Sequence, residues 1–211
     1  MGLRQYPLIA PEGWPFIVGP AVIAAGLTLF GRRKAALPFW AASLASLGFF
    51  RDPEREIPAV SGGVLSAADG RVLAVEDALD PFVGPATRIA TFLSPLDVHV
   101  NRAPIGGLVS DVVYTPGGFK AAYDPGAVEN ERCAVRIQGD AARVTVVQIA
   151  GVVARRIVCR VGAGDKLAAG ERFGMIRFGS RTDVYVPRGT DVRVTAGDRV
   201  IGGVTVIGLL P

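Results

Sequence analysis

Three residue types in this chain can together activate a hydroxyl: the serine of Gly179-Ser180, the single histidine, His99, and an aspartate, Asp69. A serine that follows glycine can attack the preceding carbonyl with its own hydroxyl, because glycine puts no side chain in the path and tolerates unusual dihedrals. Gly-Ser by itself is a common turn, and neither a lone histidine nor a turn aspartate requires a chemical role. Asp, His and Ser are nonetheless the orienting acid, the base and the nucleophile of an activated hydroxyl, a set recognised by geometry and not by order in the chain. Asp69-Gly70 sits between two strand-like runs, His99 sits in Leu93-Ser94-Pro95-Leu96-Asp97-Val98-His99-Val100-Asn101-Arg102, and Gly179-Ser180 is flanked by strand-like sequence.

Such residues need strands to hold them. From Gly63 onward, short β-branched runs alternate with glycine: 64–66, 70–75, 87–93, 143–149 and 155–161. Their alternation predicts half-buried antiparallel strands, and helical signals are scarce after Phe50. The C-terminal part repeats a Gly-Asp turn, Gly164-Asp165 to Gly170 and Gly197-Asp198 to Gly203. The expected fold is mainly β, a glycine-rich antiparallel sandwich or barrel. Its turns resemble the half-barrel elements of biotinyl and lipoyl carrier domains. A carrier presents a lysine at a tight turn for modification, and the comparable turn here, Ala68-Asp69-Gly70, has none.

An apolar helical hairpin is expected over residues 1–50, a Pro-rich, charged linker over 51–60 and the β domain over 61–211. The hairpin's two runs are interrupted by Arg32, Arg33 and Lys34, and both are near or below the length needed to cross a bilayer. Basic residues are balanced between the connection and the ends, so a shallow monotopic or re-entrant hairpin at the cytoplasmic face of the membrane is the preferred reading. Half the residues are hydrophobic, and the net charge of +4 favours an anionic partner. Aromatics are only 8% and no basic run is interleaved with them, which argues against nucleic acid. One histidine excludes a His-rich metal site, and no metal is expected. Cys133 and Cys159 lack metal-ligand spacing and read as two small buried residues in a reducing compartment, with no disulfide required.

The segments Ser66-Ala67-Ala68-Asp69-Gly70, Leu93-Ser94-Pro95-Leu96-Asp97-Val98-His99-Val100-Asn101-Arg102, Thr115-Pro116-Gly117-Gly118-Phe119-Lys120-Ala121-Ala122 and Phe178-Gly179-Ser180 occur in this order. Together they resemble the phosphatidylserine decarboxylase family in its short prokaryotic form. The resemblance implies self-cleavage between Gly179 and Ser180, giving a large chain (1–179) and a small chain (180–211) that stay associated. It implies a pyruvoyl group made from Ser180, no external cofactor, and decarboxylation of phosphatidylserine to phosphatidylethanolamine through a Schiff base. His99 is then the proton-transfer residue, and Asp69 orients it or helps deprotonate Ser180. Longer relatives carry a second histidine three residues on, where this chain has Arg102. Arg102 and Asn101 are the candidate substrate contacts, Arg102 through a fork suited to phosphate.

Two other readings remain open. The same reaction on an ether lipid such as archaetidylserine fits equally, and a membrane-anchored carrier or adaptor without catalysis predicts an uncut chain. A homo-oligomer is compatible with the sequence.

Overall fold

The computed structural model describes residues 8–121, 123–152, 156–177 and 180–211. The chain divides into two compact units, residues 1–54 and 55–211.

The first unit is a helical hairpin, α1 (Trp14–Leu29) and α2 (Arg33–Phe49). Its open end is closed by backbone bonds from Ala10 N to Phe50 O (2.8 Å) and from Asp52 N to Leu8 O (2.7 Å). Ser43 Oγ donates across the helices to Ile17 O at 2.8 Å, so one of the few polar side chains is satisfied inside the pair. Elsewhere the surface is apolar: Val18, Val22, Ile23, Leu29, Phe30, Leu37, Trp40, Leu44 and Leu47 are all exposed. A helix that is apolar all round belongs in a core or in lipid. Among the described residues one stretch, Pro11–Leu29, is long and apolar enough to cross a membrane, with a mean hydropathy of 1.3.

The second unit is mainly β, as the alternation predicts. In chain order its strands are β1 (Gly63–Leu65), β2 (Gly70–Asp80), β3 (Gly84–Leu93), β4 (Val100–Arg102), β5 (Gly107–Thr115), β6 (Arg132–Gln138), β7 (Arg143–Ile149) and β8 (Arg156–Cys159). They continue with β9 (Lys166–Leu167), β10 (Arg172–Arg177), β11 (Ser180–Pro187), β12 (Asp191–Val192), β13 (Arg199–Val200) and β14 (Val206–Leu209). An antiparallel sheet of order β13-β2-β3-β11-β7-β6-β5-β9 is accompanied by two three-stranded sheets, β4-β10-β8 and β1-β14-β12.

The two Gly-Asp repeats close opposite edges of the large sheet. After the first turn β9 pairs with the start of β5, and after the second β13 pairs with the start of β2. Both repeats end on a glycine with positive φ, Gly170 at 75° and Gly203 at 74°, a conformation that side-chain-bearing residues rarely adopt. One face of the sheet is the core, with Val72, Ile89, Val109, Val135, Ile137, Val144, Val146, Val184 and Val186 all buried. These positions alternate along their strands, as the period of two requires. β11 is buried on both faces over most of its length, because β3 and β7 pair with it on either side.

Between β5 and β6 the glycine-rich segment is anchored by Asn130, which is fully buried. Its Oδ1 accepts from Lys120 N at 2.8 Å, and its Nδ2 donates to Lys120 O and Ala150 O, both at 2.8 Å.

Candidate active site

Ser180 opens β11, and its side chain shares the core face with Thr182, Val184 and Val186. It is fully buried, and its Oγ has no hydrogen-bond partner among the described residues. A buried hydroxyl left unpaired costs about 1–3 kcal/mol, so native structures rarely keep one without a use. Phe178 and Gly179 lie outside the described residues, so the scissile bond expected there has no described geometry.

Pairing brings His99 to the same place. Ser180 lies opposite Leu93 on β3, while Met175 of β10 lies opposite Val100 of β4, and Ile176 N donates to His99 O at 3.3 Å. The turn from Leu93 to Val100 therefore connects a strand paired with β10 to the strand paired with the start of β11. That turn is locked by Asp97, whose Oδ2 accepts from Ser94 N at 2.8 Å and Ser94 Oγ at 2.6 Å. His99 is fully buried, with Nδ1 2.9 Å from the Asp97 carbonyl oxygen. A carbonyl only accepts, so Nδ1 carries the hydrogen, and in a neutral ring the lone pair then falls on Nε2. Ser-Pro-Leu-Asp thus fixes both the position and the tautomer of the imidazole.

Asn101 is fully buried beside this site. Its Nδ2 donates to Thr182 Oγ1 at 3.2 Å, and its Oδ1 accepts from Gln148 Nε2 at 2.8 Å. Gln148 Oε1, also buried, has no partner among the described residues. Thr182 and Gln148 went unnoticed in the sequence, where a threonine and a glutamine inside β-branched runs read as ordinary strand residues. They extend the polar surface around Ser180 along the core face.

The other two candidates have different surroundings. Asp69 is brought to the same end of the sheet, since Arg71 lies opposite Phe92 and Phe92 opposite Arg181. Its carboxylate, however, is engaged by Arg55 through a two-pronged ion pair (2.6 and 2.8 Å) and by Gly202 N (2.8 Å). Arg102, 2% exposed, donates through Nη1 to Gly170 O at 3.1 Å, and its Cδ lies against Gly203. It lies against the ends of both Gly-Asp turns and is withdrawn from solvent. Among the described residues no group of three His, Cys, Asp or Glu is placed to hold a metal.

Behind Ser180, on the opposite face of β11, Arg181 grips Asp183 with two bonds of 2.6 Å. Burial pushes the Asp183 carboxyl above the usual carboxylate range, against the pull of Arg181 and Arg88. This fork stiffens the strand immediately after the candidate nucleophile.

A buried serine hydroxyl heading a central strand, with a buried imidazole on the adjoining turn, is a candidate nucleophile and base on a half-barrel sheet. Comparison with known proteins narrows that class. The family model of phosphatidylserine decarboxylase matches residues 44–208. The phosphatidylserine decarboxylase proenzyme of Burkholderia pseudomallei (strain 1106a) is 48% identical over 209 residues, 98% of this chain and 97% of that one. The proenzyme of Nitrosomonas europaea is 48% identical over 205 residues, 96% of this chain and 95% of its own. The chain belongs to the phosphatidylserine decarboxylase family. Its relatives are named as enzymes, and nothing among them favours the carrier reading.

Proposed function

We propose that this chain is made as a precursor, cuts itself between Gly179 and Ser180, and then decarboxylates phosphatidylserine to phosphatidylethanolamine. The observation that carries the reading is the fully buried Ser180 hydroxyl at the start of β11, without a hydrogen-bond partner among the described residues. Ser180 Oγ attacks the Gly179 carbonyl carbon and His99 Nε2 takes its proton, so that the amide becomes an ester. Loss of the Ser180 Cα proton expels the Gly179 carboxylate and splits the chain. The resulting enamine takes up water and releases ammonia, leaving a pyruvoyl group at the new N-terminus.

A buried hydroxyl with no partner among the described residues, on the same face as Thr182, which accepts from Asn101, fits a residue that is to be converted into this group. Once formed, the pyruvoyl group supplies a carbonyl for the substrate amine and an electron sink as carbon dioxide leaves. His99 then holds a proton at Nε2 for return to the substrate carbon. Asn101, through Thr182 and Gln148, keeps the floor of the pocket polar. Asp69 acts on the site through Arg55 and Gly202 by fixing the start of β2, a positioning role in place of direct proton transfer. Arg102, held by Gly170, supports the pocket wall behind Asn101.

The two chains stay together because β11 hydrogen-bonds to both β3 and β7, and β13 and β14 pair with β2 and β1 of the large chain. The apolar hairpin serves the substrate. Each lipid methylene exposed to water costs about 0.8 kcal/mol, so an enzyme held at the cytoplasmic face of the membrane, peripheral or monotopic, acts on the headgroup where it lies.

A denaturing mass spectrum tests the proposal. Two fragments are expected, divided at Gly179/Ser180, the smaller one lighter by one ammonia than a serine-started peptide. Ser180→Ala should give one inactive, unbroken polypeptide, and His99→Ala should lose cleavage, decarboxylation or both. Normal cleavage of Ser180→Ala, or full activity of His99→Ala, overturns the assignment concerned.

A further inference from the structure

One row of paired residues crosses the large sheet beside Ser180: Arg199 of β13, Arg71, Phe92, Arg181, Ile149 and Arg132 of β6 lie opposite one another in turn. Because the strands are antiparallel, the connections after β13, after β3 and after β7, and the one leading into β6, all leave the sheet beyond that row, at the end where Ser180 opens β11. Each of these four connections carries an exposed apolar side chain. Leu96, 84% exposed, tips the turn after β3; Tyr123, 69%, lies in the connection from β5 to β6; Val152, 54%, follows β7; and Ile201, 48%, follows β13.

Direct contacts hold three of the four side by side. Tyr123 packs edge-on against Phe92, with ring centroids 6.0 Å apart, next to the strand end from which the Leu96 turn departs. Arg199 Nη1 lies 3.7 Å from Asp97 Oδ1, which ties the end of β13, just before Ile201, to the same turn. One exposed apolar residue is ordinary, whereas several gathered at one end of a sheet mark an interaction surface.

The place of these side chains says what covers them. Ser180 and His99 are fully buried, and the exposed tip of the turn that carries His99 is Leu96. The family is named for a phospholipid substrate, whose headgroup has to reach these residues while its acyl chains stay in the bilayer. Arg71 and Arg199, opposite each other on β2 and β13, are exposed at the same end and suit an anionic surface. Asp124 and Glu129, the acids of the β5–β6 connection nearest Tyr123, are engaged by Gly126 N at 2.7 Å and by Lys120 at 2.9 Å. A tyrosine, apolar in body and polar at its tip, is suited to the boundary between headgroups and acyl chains.

We propose that Leu96, Tyr123, Val152 and Ile201 form a membrane-inserting rim on the β unit itself. They enter the headgroup–acyl boundary of an anionic bilayer, so that the Ser180 end of the sheet opens into lipid. The opposite end, where Leu79 stands 80% exposed beside the β2–β3 turn, faces water. The inference rests on the phospholipid reading of the site for its purpose, and its test reads orientation, with no need of cleavage or turnover.

The test uses the full-length, uncut Ser180→Ala chain with Trp14→Phe and Trp40→Phe, so that one added tryptophan is the only reporter. Leu96→Trp, Tyr123→Trp and Leu79→Trp are each reconstituted into vesicles of phosphatidylcholine and phosphatidylglycerol, with and without brominated acyl chains. Emission from positions 96 and 123 should shift to the blue and lose about half its intensity or more to the brominated lipid, as a side chain at that boundary would. Emission from position 79 should keep the wavelength of a water-exposed indole and escape quenching. Unquenched emission from both 96 and 123 in vesicle-bound protein, quenching at 79 equal to theirs, or a chain that does not bind the vesicles each overturns the proposal. The conservative Tyr123→Trp keeps the test decisive if Leu96→Trp folds poorly. An uncut wild-type chain would sink the decarboxylase reading and leave these emissions as they are.

Discussion

Replacing Asp69 tests whether that residue is an anchor or a proton carrier. Its carboxylate accepts three hydrogen bonds, two from Arg55 (2.6 and 2.8 Å) and one from Gly202 N (2.8 Å). The side chains of Arg55 and Asp69 are 8% and 15% exposed, so solvent screens the pair little. Asp69→Ala strands the guanidinium with only Gly202 O, at 2.5 Å, as a remaining acceptor and removes the acceptor from Gly202 N. Breaking a buried pair from one side costs about 3–5 kcal/mol. In a chain of this size that lowers the melting temperature by about 6–20 °C, at roughly 2–4 °C per kcal/mol. The measurement is best made on a Ser180→Ala background, so that every variant is compared as an uncut chain. Arg55→Met should cost a similar amount by leaving the carboxylate unpaired. The double variant removes both charges and should lose less than the sum of the singles, by about 2 kcal/mol or more. Thermal or denaturant melts of the four proteins decide it. An Asp69→Ala loss under about 1 kcal/mol, as exposed pairs give, or a cycle additive within about 0.5 kcal/mol, would refute the anchoring argument. In the Ser180-containing chain the same logic separates the roles: an anchor makes Arg55→Met slow cleavage as much as Asp69→Asn does, and a proton carrier makes only the Asp69 variant fail.

Asn130→Ala removes the partners of Lys120 N, Lys120 O and Ala150 O; a loss of about 2–3 kcal/mol and faster proteolysis between 116 and 129 are expected in a melt and a timed digest. Gly70→Ala places a Cβ against the Phe92 carbonyl oxygen at a φ of 151°, and a cost of roughly 4 kcal/mol or more should show as loss of soluble protein. Because interaction with Cys133 draws Cys159 down to about 7, its iodoacetamide rate should climb with pH and level off above neutrality, the thiolate being the reactive form. A rate that still rises steeply from pH 8 to 9 contradicts this, and Cys133→Ser should shift the profile upward in pH.

The strands themselves were largely legible. The alternating run 143–149 coincides with β7, and 87–93 falls within β3. The polar-apolar alternation of Arg132–Gln138 carries the same signal. Asp69 read as a turn residue because nothing near it in the chain names Arg55, 14 positions earlier, as its partner.

The sequence alone determined the local matters: period-two runs that make strands, Gly-Asp turns that reverse them, an apolar hairpin, and the residue types Ser180 and His99 that chemistry needs. Tertiary structure decided which of these meet. Leu93 opposite Ser180 and Val100 opposite Met175 are pairings of register and sheet order, and Arg55 meets Asp69 from 14 positions earlier in the chain. Such contacts are selected by burying one face of a whole sheet, and a shift of one residue would turn every side chain to the other face. That selection is a property of the folded chain taken together, and no short stretch of it holds the information.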